Sequence, residues 1–333
     1  MDLQTIWFAL IAVLWIGYFV LEGFDFGVGI LLLVLGRNER ERRAMLRTIG
    51  PVWDGNEVWV IVAGGATFAA FPEWYATLFS GFYLALFLLL VGLIVRGVAI
   101  EYRNKREDVT WRTRWDVAIA VGSFVPALLW GVAFANIVAG VPIDAHKQFT
   151  GNLLTLLNPF GLLGGLTILL LFVTHGAVFL GLKTEGDLRE RANRLALRVG
   201  VVTAVVAVAF LAWTEAQRGT PASIVFAVLT AGSFVGALAA NVVRREGWAF
   251  IGTAAAIGLA VVTLFTALYP DVMPSTTDPS FSLTIRNASS TDYTLTIMTV
   301  VAVIFTPIVL LYQGWSYWVF RKRVSVPPVS VGR

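Results

Sequence analysis

The chain reads as an all-α polytopic membrane protein with nine transmembrane helices, and three observations carry that reading. Of its 333 residues, 57% are hydrophobic and only 14% charged, with a mean hydropathy of +0.77, whereas a soluble domain carries about 25% charged residues. The apolar residues gather in uncharged runs such as 78–95 and 199–213, which suit spanning helices rather than the alternating strands of a barrel. The basic residues concentrate in every second connection. A soluble enzyme, a nucleic-acid binder, a disordered protein and a β-barrel are excluded, despite a net charge of +4. Thirty-one glycines and 12 tryptophans suit the same class, because membrane helices tolerate Gly and place Trp at the interfaces.

The spans, taken in order, cover roughly residues 5–35, 50–71, 76–100, 115–140, 157–182, 195–214, 222–243, 248–270 and 293–320. They form one integral-membrane unit over residues 1–333. The first span lacks a basic leader and continues past signal-peptide length, so it is expected to be retained. Pro51 is a natural first residue for the second. Connections are short except at 141–156 and 271–292. One set of connections carries basic clusters within 37–47, 103–114, 183–198 and 244–245, with Arg321, Lys322, Arg323 and Arg333 in the tail. The opposite set carries Lys147, Arg218 and Arg286. That asymmetry places the N-terminus outside and the C-terminus in the cytoplasm. Gly122–Leu128 and Gly232–Leu238 are nearly identical in sequence, but they fall on helices of opposite direction and read as coincidental small-residue faces. Gly27, Gly29, Gly64, Gly65, Gly122 and Gly131 are expected to let spans one to four approach a partner closely.

Cofactor chemistry is limited by composition. There is no Cys, hence no disulfide, thiolate metal site or iron–sulfur cluster. His146 lies in a polar stretch and His175 in an apolar one; Met298 is the one methionine inside an apolar run. The chain can therefore supply one or two intramembrane haem ligands at most, and His175 reads first as a packed, hydrogen-bonded side chain.

Charges inside a membrane are costly, so function is sought there. Glu22 and Asp25 lie three apart on span one, and Asp54 and Glu57 repeat the spacing on span two, so each pair shares a helix face. From the helical rise, Asp54 lies about 8 Å, Glu57 about 12 Å, Asp25 about 16 Å and Glu22 about 21 Å from the basic side. That ladder of carboxyls can relay protons. Asp54 and Glu57 can equally complement the helix N-terminus, and Asp25 can hydrogen-bond a neighbouring helix. Arg96 on span three can snorkel to the headgroups or pair with Asp54. Trp53, Trp59, Trp74, Trp315 and Trp318 read as an interface belt.

Seven segments together resemble subunit II of the cytochrome bd-type quinol oxidases over essentially the whole chain. They are Glu-Gly-Phe-Asp-Phe-Gly-Val-Gly (22–29), Gly-Pro-Val-Trp-Asp-Gly-Asn-Glu-Val-Trp (50–59), Phe-Ser-Gly-Phe-Tyr (79–83), Trp-Gly-Val-Ala-Phe-Ala-Asn (130–136), Leu-Asn-Pro-Phe-Gly-Leu-Leu (157–163), Tyr-Pro-Asp-Val-Met-Pro-Ser (269–275) and Pro-Ile-Val-Leu-Leu-Tyr (307–312). The resemblance implies two four-helix bundles plus a peripheral helix, paired with a related subunit I in a bacterial cytoplasmic membrane. It implies two b-type haems, haem d and the quinol site in subunit I, none of them bound by this chain alone, and room for small accessory subunits. It further implies a cytoplasmic proton pathway in which Asp54 and Asp25 take part, with Trp53 beside the entrance. Glu22 and Glu57 match the family pattern more loosely, and His175 stands where some members carry Gln. The function so implied is the non-haem subunit of a quinol:oxygen oxidoreductase, inactive alone, that delivers protons for reduction of oxygen to water. A stand-alone proton-coupled transporter, in which Asp25 and Asp54 bind the coupling ion, and a purely structural scaffold are the alternatives.

Overall fold

A computed structural model describes residues 2–325; Arg333, counted above in the basic tail, lies outside the described residues. The chain is a helical assembly: α1 Leu3–Leu35, α2 Glu39–Ile49, α3 Trp53–Ala70, α4 Pro72–Gly81, α5 Tyr83–Tyr102, α6 Val109–Ala139, α7 Leu153–Leu156, α8 Pro159–Lys183, α9 Gly186–Arg218, α10 Pro221–Val242, α11 Glu246–Leu268 and α12 Asp292–Val319. Short polar side chains start many of them: Asp2, Asn38, Asp108, Asn158, Thr220 and Thr291 each accept a backbone N–H of the first turn.

Among the described residues, eight helices are long and apolar enough to cross a membrane: α1, α5 with its 3-10 extension, α6 and α8 to α12. The second expected span is α3, 18 residues long, whose opening Trp-Asp-Gly-Asn-Glu makes it too polar to qualify by composition alone. The third expected span is divided at Phe82 into α4 and α5. The connection after α1 folds into α2, an amphipathic helix that hydropathy overlooks. Ala44, Met45, Leu46 and Ile49 form its buried stripe, while Arg40, Arg43 and Arg47 lie off it. Helices α6 and α9 start several residues earlier than expected: α6 because Asp108 caps it by accepting the Trp111 N–H, and α9 because Leu188, Ala192 and Asn193 are buried and extend the packed face beyond the apolar run.

Helix α1 is the axis of the fold, packed against α3, α6, α8, α11 and α12. It crosses α8 at Gly27 and Gly176, where backbone meets backbone; a Cβ on Gly27 would sit 2.8 Å from the Gly176 Cα. Gly131 meets Gly164 and Gly165, Gly122 meets Gly92 and Arg96, and Gly29 meets Ser123. Four of the six glycines expected to face a partner are thus consumed inside this chain, because α1 and α6 are its centre rather than its edge. Gly65 has open space beside it and Gly64 has only Phe79, at 4.0 Å. Gly232 also faces open space, unlike its sequence counterpart Gly122. A cluster of rings from Trp15, Tyr18, Phe19, Trp130, Phe134 and Phe172 fills one half of the core, and Trp130 Nε1 donates to the Tyr18 hydroxyl at 3.2 Å.

The two long connections are knitted together. Asp271–Met273 and Leu283–Thr284 form a small antiparallel pair, β1 and β2. Val141 N–H donates to Pro274 O, Thr276 N–H to Val141 O, both at 3.0 Å, and the Ser275 hydroxyl to Ile143 O at 2.9 Å. Helix α12 is the least covered helix, tied down at three levels. Trp7 Nε1 donates to Leu295 O and Thr299 Oγ1 at one end, and Gln313 and Tyr317 bond to α3 farther along. Beyond its other end, Val324 N–H donates to Lys183 O at 2.7 Å and Arg323 Nη1 to Thr184 O at 2.9 Å.

Candidate functional site

Three helices bring the intramembrane charges together. Helix α1 supplies Glu22 and Asp25 from adjacent turns of one face, α3 supplies Asn56 and Glu57, and α5 supplies Arg96. Glu22, Asp25, Asn56 and Arg96 are all 0% exposed, and the Glu57 side chain is 22% exposed. The Arg96 guanidinium donates from Nη1 to Glu22 Oε1 and, at 3.4 Å, to Glu57 Oε1. It also lies over the Phe26 ring, 4.7 Å from the centroid. Arg96 therefore neither snorkels nor pairs with Asp54; it is sealed within the protein with two carboxyls from neighbouring helices.

Asp25 is held differently. Its Oδ2 accepts from Asn56 Nδ2 at 2.6 Å. The Asn56 carbonyl Oδ1 in turn accepts from Tyr317 OH at 2.9 Å and Gln313 Nε2 at 3.1 Å, both on α12. One amide thus joins the first span, the third helix and the last. Asn56, Gln313 and Tyr317 escape a search for charges, because uncharged polar groups cost less in a membrane than ions do. The signal that finds them is periodicity. Asn56 continues the buried stripe of Ala63, Thr67 and Ala70 on α3, and Gln313 and Tyr317 lie four apart in an apolar helix.

That same stripe places Asp54. It lies two residues from Asn56, about 200° around the helix, so it faces away from Asn56 and is exposed. Its Oδ1 accepts its neighbour's N–H, that of Gly55, at 2.8 Å. Trp53 is half-buried and leans over Gly97 of α5, where a Cβ would meet the ring at 3.4 Å. Exposure falls along the set: Asp54 is exposed, the Glu57 side chain is 22% exposed, and Asp25 and Glu22 are fully buried.

Four buried atoms in the cluster have no hydrogen-bond partner in the protein: Glu22 Oε2, Asp25 Oδ1, Arg96 Nε and Arg96 Nη2. Buried polar groups are nearly always satisfied, commonly by water, so both inner carboxyls keep an oxygen free for a mobile hydrogen-bond partner. Carboxyls can take up and release protons; the amides and the phenol around them orient the carboxyls.

His175 is spoken for. Its Nδ1 lies 2.7 Å from Thr253 Oγ1 and its Nε2 3.1 Å from Val20 O, with the ring stacked on Phe250. A carbonyl only accepts, so Nε2 carries the hydrogen; Thr253 Oγ1 also donates to Phe250 O at 3.0 Å. Among the described residues no group of three His, Cys, Asp or Glu side chains is arranged to hold a metal ion.

Outside the membrane-spanning segments, α2 is pinned by ion pairs. Glu39 bonds Arg103 at 2.7 Å, and Glu41 bonds Arg191 at 2.7 Å. Burial pushes the Glu39 carboxyl up, but the hydrogen bonds and charge of Arg103, with Arg112 and Arg43, outweigh it and hold the group below its ordinary value. Glu41 is likewise lowered: burial raises it, and hydrogen bonds from Arg191 and the Arg37 backbone prevail.

Comparison with known proteins agrees with this architecture. A sequence model of the cytochrome bd terminal oxidase subunit II family matches residues 3–320. The chain is 43% identical over 331 residues to the cytochrome bd ubiquinol oxidase subunit 2 of Bacillus subtilis (strain 168), covering 97% of both chains. It is 40% identical over 363 residues to the cytochrome bd-I ubiquinol oxidase subunit 2 of Escherichia coli (strain K12), covering 97% of this chain and 95% of that one. Its fold resembles a chain in the structure of bd oxidase from Geobacillus thermodenitrificans, with a TM-score of 0.78 at 18% identity, over 97% of this chain and 100% of that one.

Proposed function

The chain belongs to the cytochrome bd terminal oxidase subunit II family, and from that premise we propose that it pairs with a haem-bearing subunit I in a bacterial cytoplasmic membrane and feeds protons to the reduction of oxygen. The oxidase takes electrons from quinol. Both b-type haems, haem d and the quinol site belong to subunit I. This chain forms one integral-membrane unit, two four-helix bundles with α12 peripheral. Its nine spans are the eight apolar helices and α3, which packs along α1. The N-terminus is outside and the tail cytoplasmic, by the basic clusters.

One observation carries the proton reading. Asp25 and Glu22 are fully buried, each with a carboxyl oxygen that has no partner in the protein, and the half-buried Glu57 shares Arg96 with Glu22. Protons enter at Asp54 beside Trp53, pass Glu57, and reach Asp25 and Glu22. Asn56 fixes Asp25, and Arg96 offsets part of the negative charge that the buried acids carry when ionised. The chain supplies no redox step itself.

The buried Arg96–Glu22 contact favours a second reading, in which the cluster clamps α1 to α5 and serves assembly. Asparagine replacements separate the two, because the amide keeps the shape and hydrogen bonds but cannot ionise. In the assembled two-subunit oxidase, Asp25→Asn is expected to slow steady-state oxygen consumption about tenfold with haem content unchanged. Asp54→Asn at the exposed mouth costs less, about threefold, since water offers a bypass there. Full oxygen consumption in both variants would sink the relay; loss of haem would assign the acids to assembly.

A further inference from the structure

The structure carries a second polar site, away from the buried acids, at the end of the spans where α2 meets the junction of α5 and α6. A cavity of about 420 Å³ opens there. Arg43, Arg47 and Arg112 line it, against the single carboxylate of Glu107, and Leu46 and Ile100 supply its apolar wall. Arg43 and Arg112 make only long contacts to Glu39, at 3.4 and 3.5 Å, and that carboxylate is already committed to Arg103 at 2.7 Å. Arg47 is exposed and makes no ion pair among the described residues. Arg112 is only 14% exposed, and its Nε is buried without a hydrogen-bond partner. A guanidinium so placed, with donors unmet beside two more cations, is matched by an oxyanion with several acceptor oxygens. Rings mark the depth: Trp111 Nε1 donates to Tyr102 O at 3.1 Å, and Trp111 packs edge-on against Trp115. Aromatic residues with one polar end collect at the headgroup level of a bilayer.

From this geometry we infer that the cavity binds a phosphate-bearing anion, its phosphate among Arg43, Arg47 and Arg112 and its apolar part on Leu46 and Ile100. The wall of Leu46 and Ile100 and the position at the membrane surface suit the headgroup of an anionic phospholipid; a free phosphate shares the charged half of the chemistry. The test uses the intact two-subunit oxidase in detergent, titrated with dioctanoyl phosphatidylglycerol, dioctanoyl phosphatidylcholine or inorganic phosphate, and read by thermal midpoint. Phosphatidylglycerol is expected to bind about fivefold tighter than phosphatidylcholine. Arg47→Gln and Arg112→Gln should each weaken it about fivefold, whereas Arg244→Gln, an exposed arginine paired elsewhere with Glu190, leaves it unchanged. Glu107→Gln should tighten binding, a gain that misfolding cannot imitate. Inorganic phosphate matching phosphatidylglycerol in midpoint and variant pattern would identify a free anion as the occupant and support the same site. Equal binding of the two lipids, binding by neither, as when subunit I fills the cavity, or no gain in Glu107→Gln would overturn the inference.

Discussion

Asn56 sets which way the Asp25 carboxyl faces. Its amide nitrogen holds Oδ2 and leaves Oδ1 free, while its carbonyl takes donors from Gln313 and Tyr317. Asn56→Leu keeps the volume but leaves a carboxyl, an amide and a phenol without that partner. A buried group losing its hydrogen bond costs about 1–3 kcal/mol. The variant oxidase should therefore show a lower thermal midpoint and a slower oxygen turnover, whereas Gln313→Leu alone, removing one of two donors to the same oxygen, should have the milder effect. An unchanged midpoint in Asn56→Leu would show that the amide is not a joint. The acids and Arg96 were legible in the sequence because each is an ion inside an apolar run, and the energetic penalty of an ion in a membrane marks it. Who meets whom was not legible. Depth along a helix put Arg96 level with Asp54, but rotation about α3 decides the partner, and rotation is fixed by the stripe through Asn56, Ala63 and Thr67.

Helices were legible wherever an apolar run exceeded the bilayer, as at α8, α10, α11 and α12. They were obscured where other features set the helix: the buried stripe of short, charged α2, the Asp108 cap that starts α6, and the buried polar start of α9. Helix α2 stays in place through Glu39 and Glu41, whose carboxyls lie below their ordinary values. A lowered folded value means stability that is present above the unfolded value, about 4.3 for Glu, and is lost as pH falls through the folded one. Amide exchange in α2 should accordingly accelerate only below about pH 4, and Glu41→Gln should blunt that acid response; a response centred near neutrality would contradict it. Packing between helices makes a second test. Gly27→Ala forces α1 from α8 at a backbone contact, expected to cost about 1–3 kcal/mol and lower the yield of assembled oxidase. Gly232→Ala, facing open space, should be neutral or slightly stabilising, since Ala favours a helix over Gly by about 0.5–1 kcal/mol.

At the level of the whole molecule, the absence of Cys makes sidedness simple to measure. Single cysteines at exposed Lys105 and Arg245 should react with an impermeant thiol reagent only from the cytoplasmic side, and those at His146 and Thr277 only from the other. One inverted position with normal assembly would break the nine-span arrangement. The isolated chain should purify without a haem spectrum and gain colour only with subunit I; colour in the chain alone would refute the division of labour. The join between Trp7 on α1 and Leu295 and Thr299 on α12 bears on a different matter, the order of biosynthesis. The two ends of the contact lie 288 positions apart, which a ribosome covers in about 15–60 s at about 5–20 residues per second. Until α12 is made, the Trp7 indole N–H lacks both of these acceptors. Helix α12 is therefore the element whose arrival closes the fold around α1, and a chain that stops short of it leaves that indole without either acceptor.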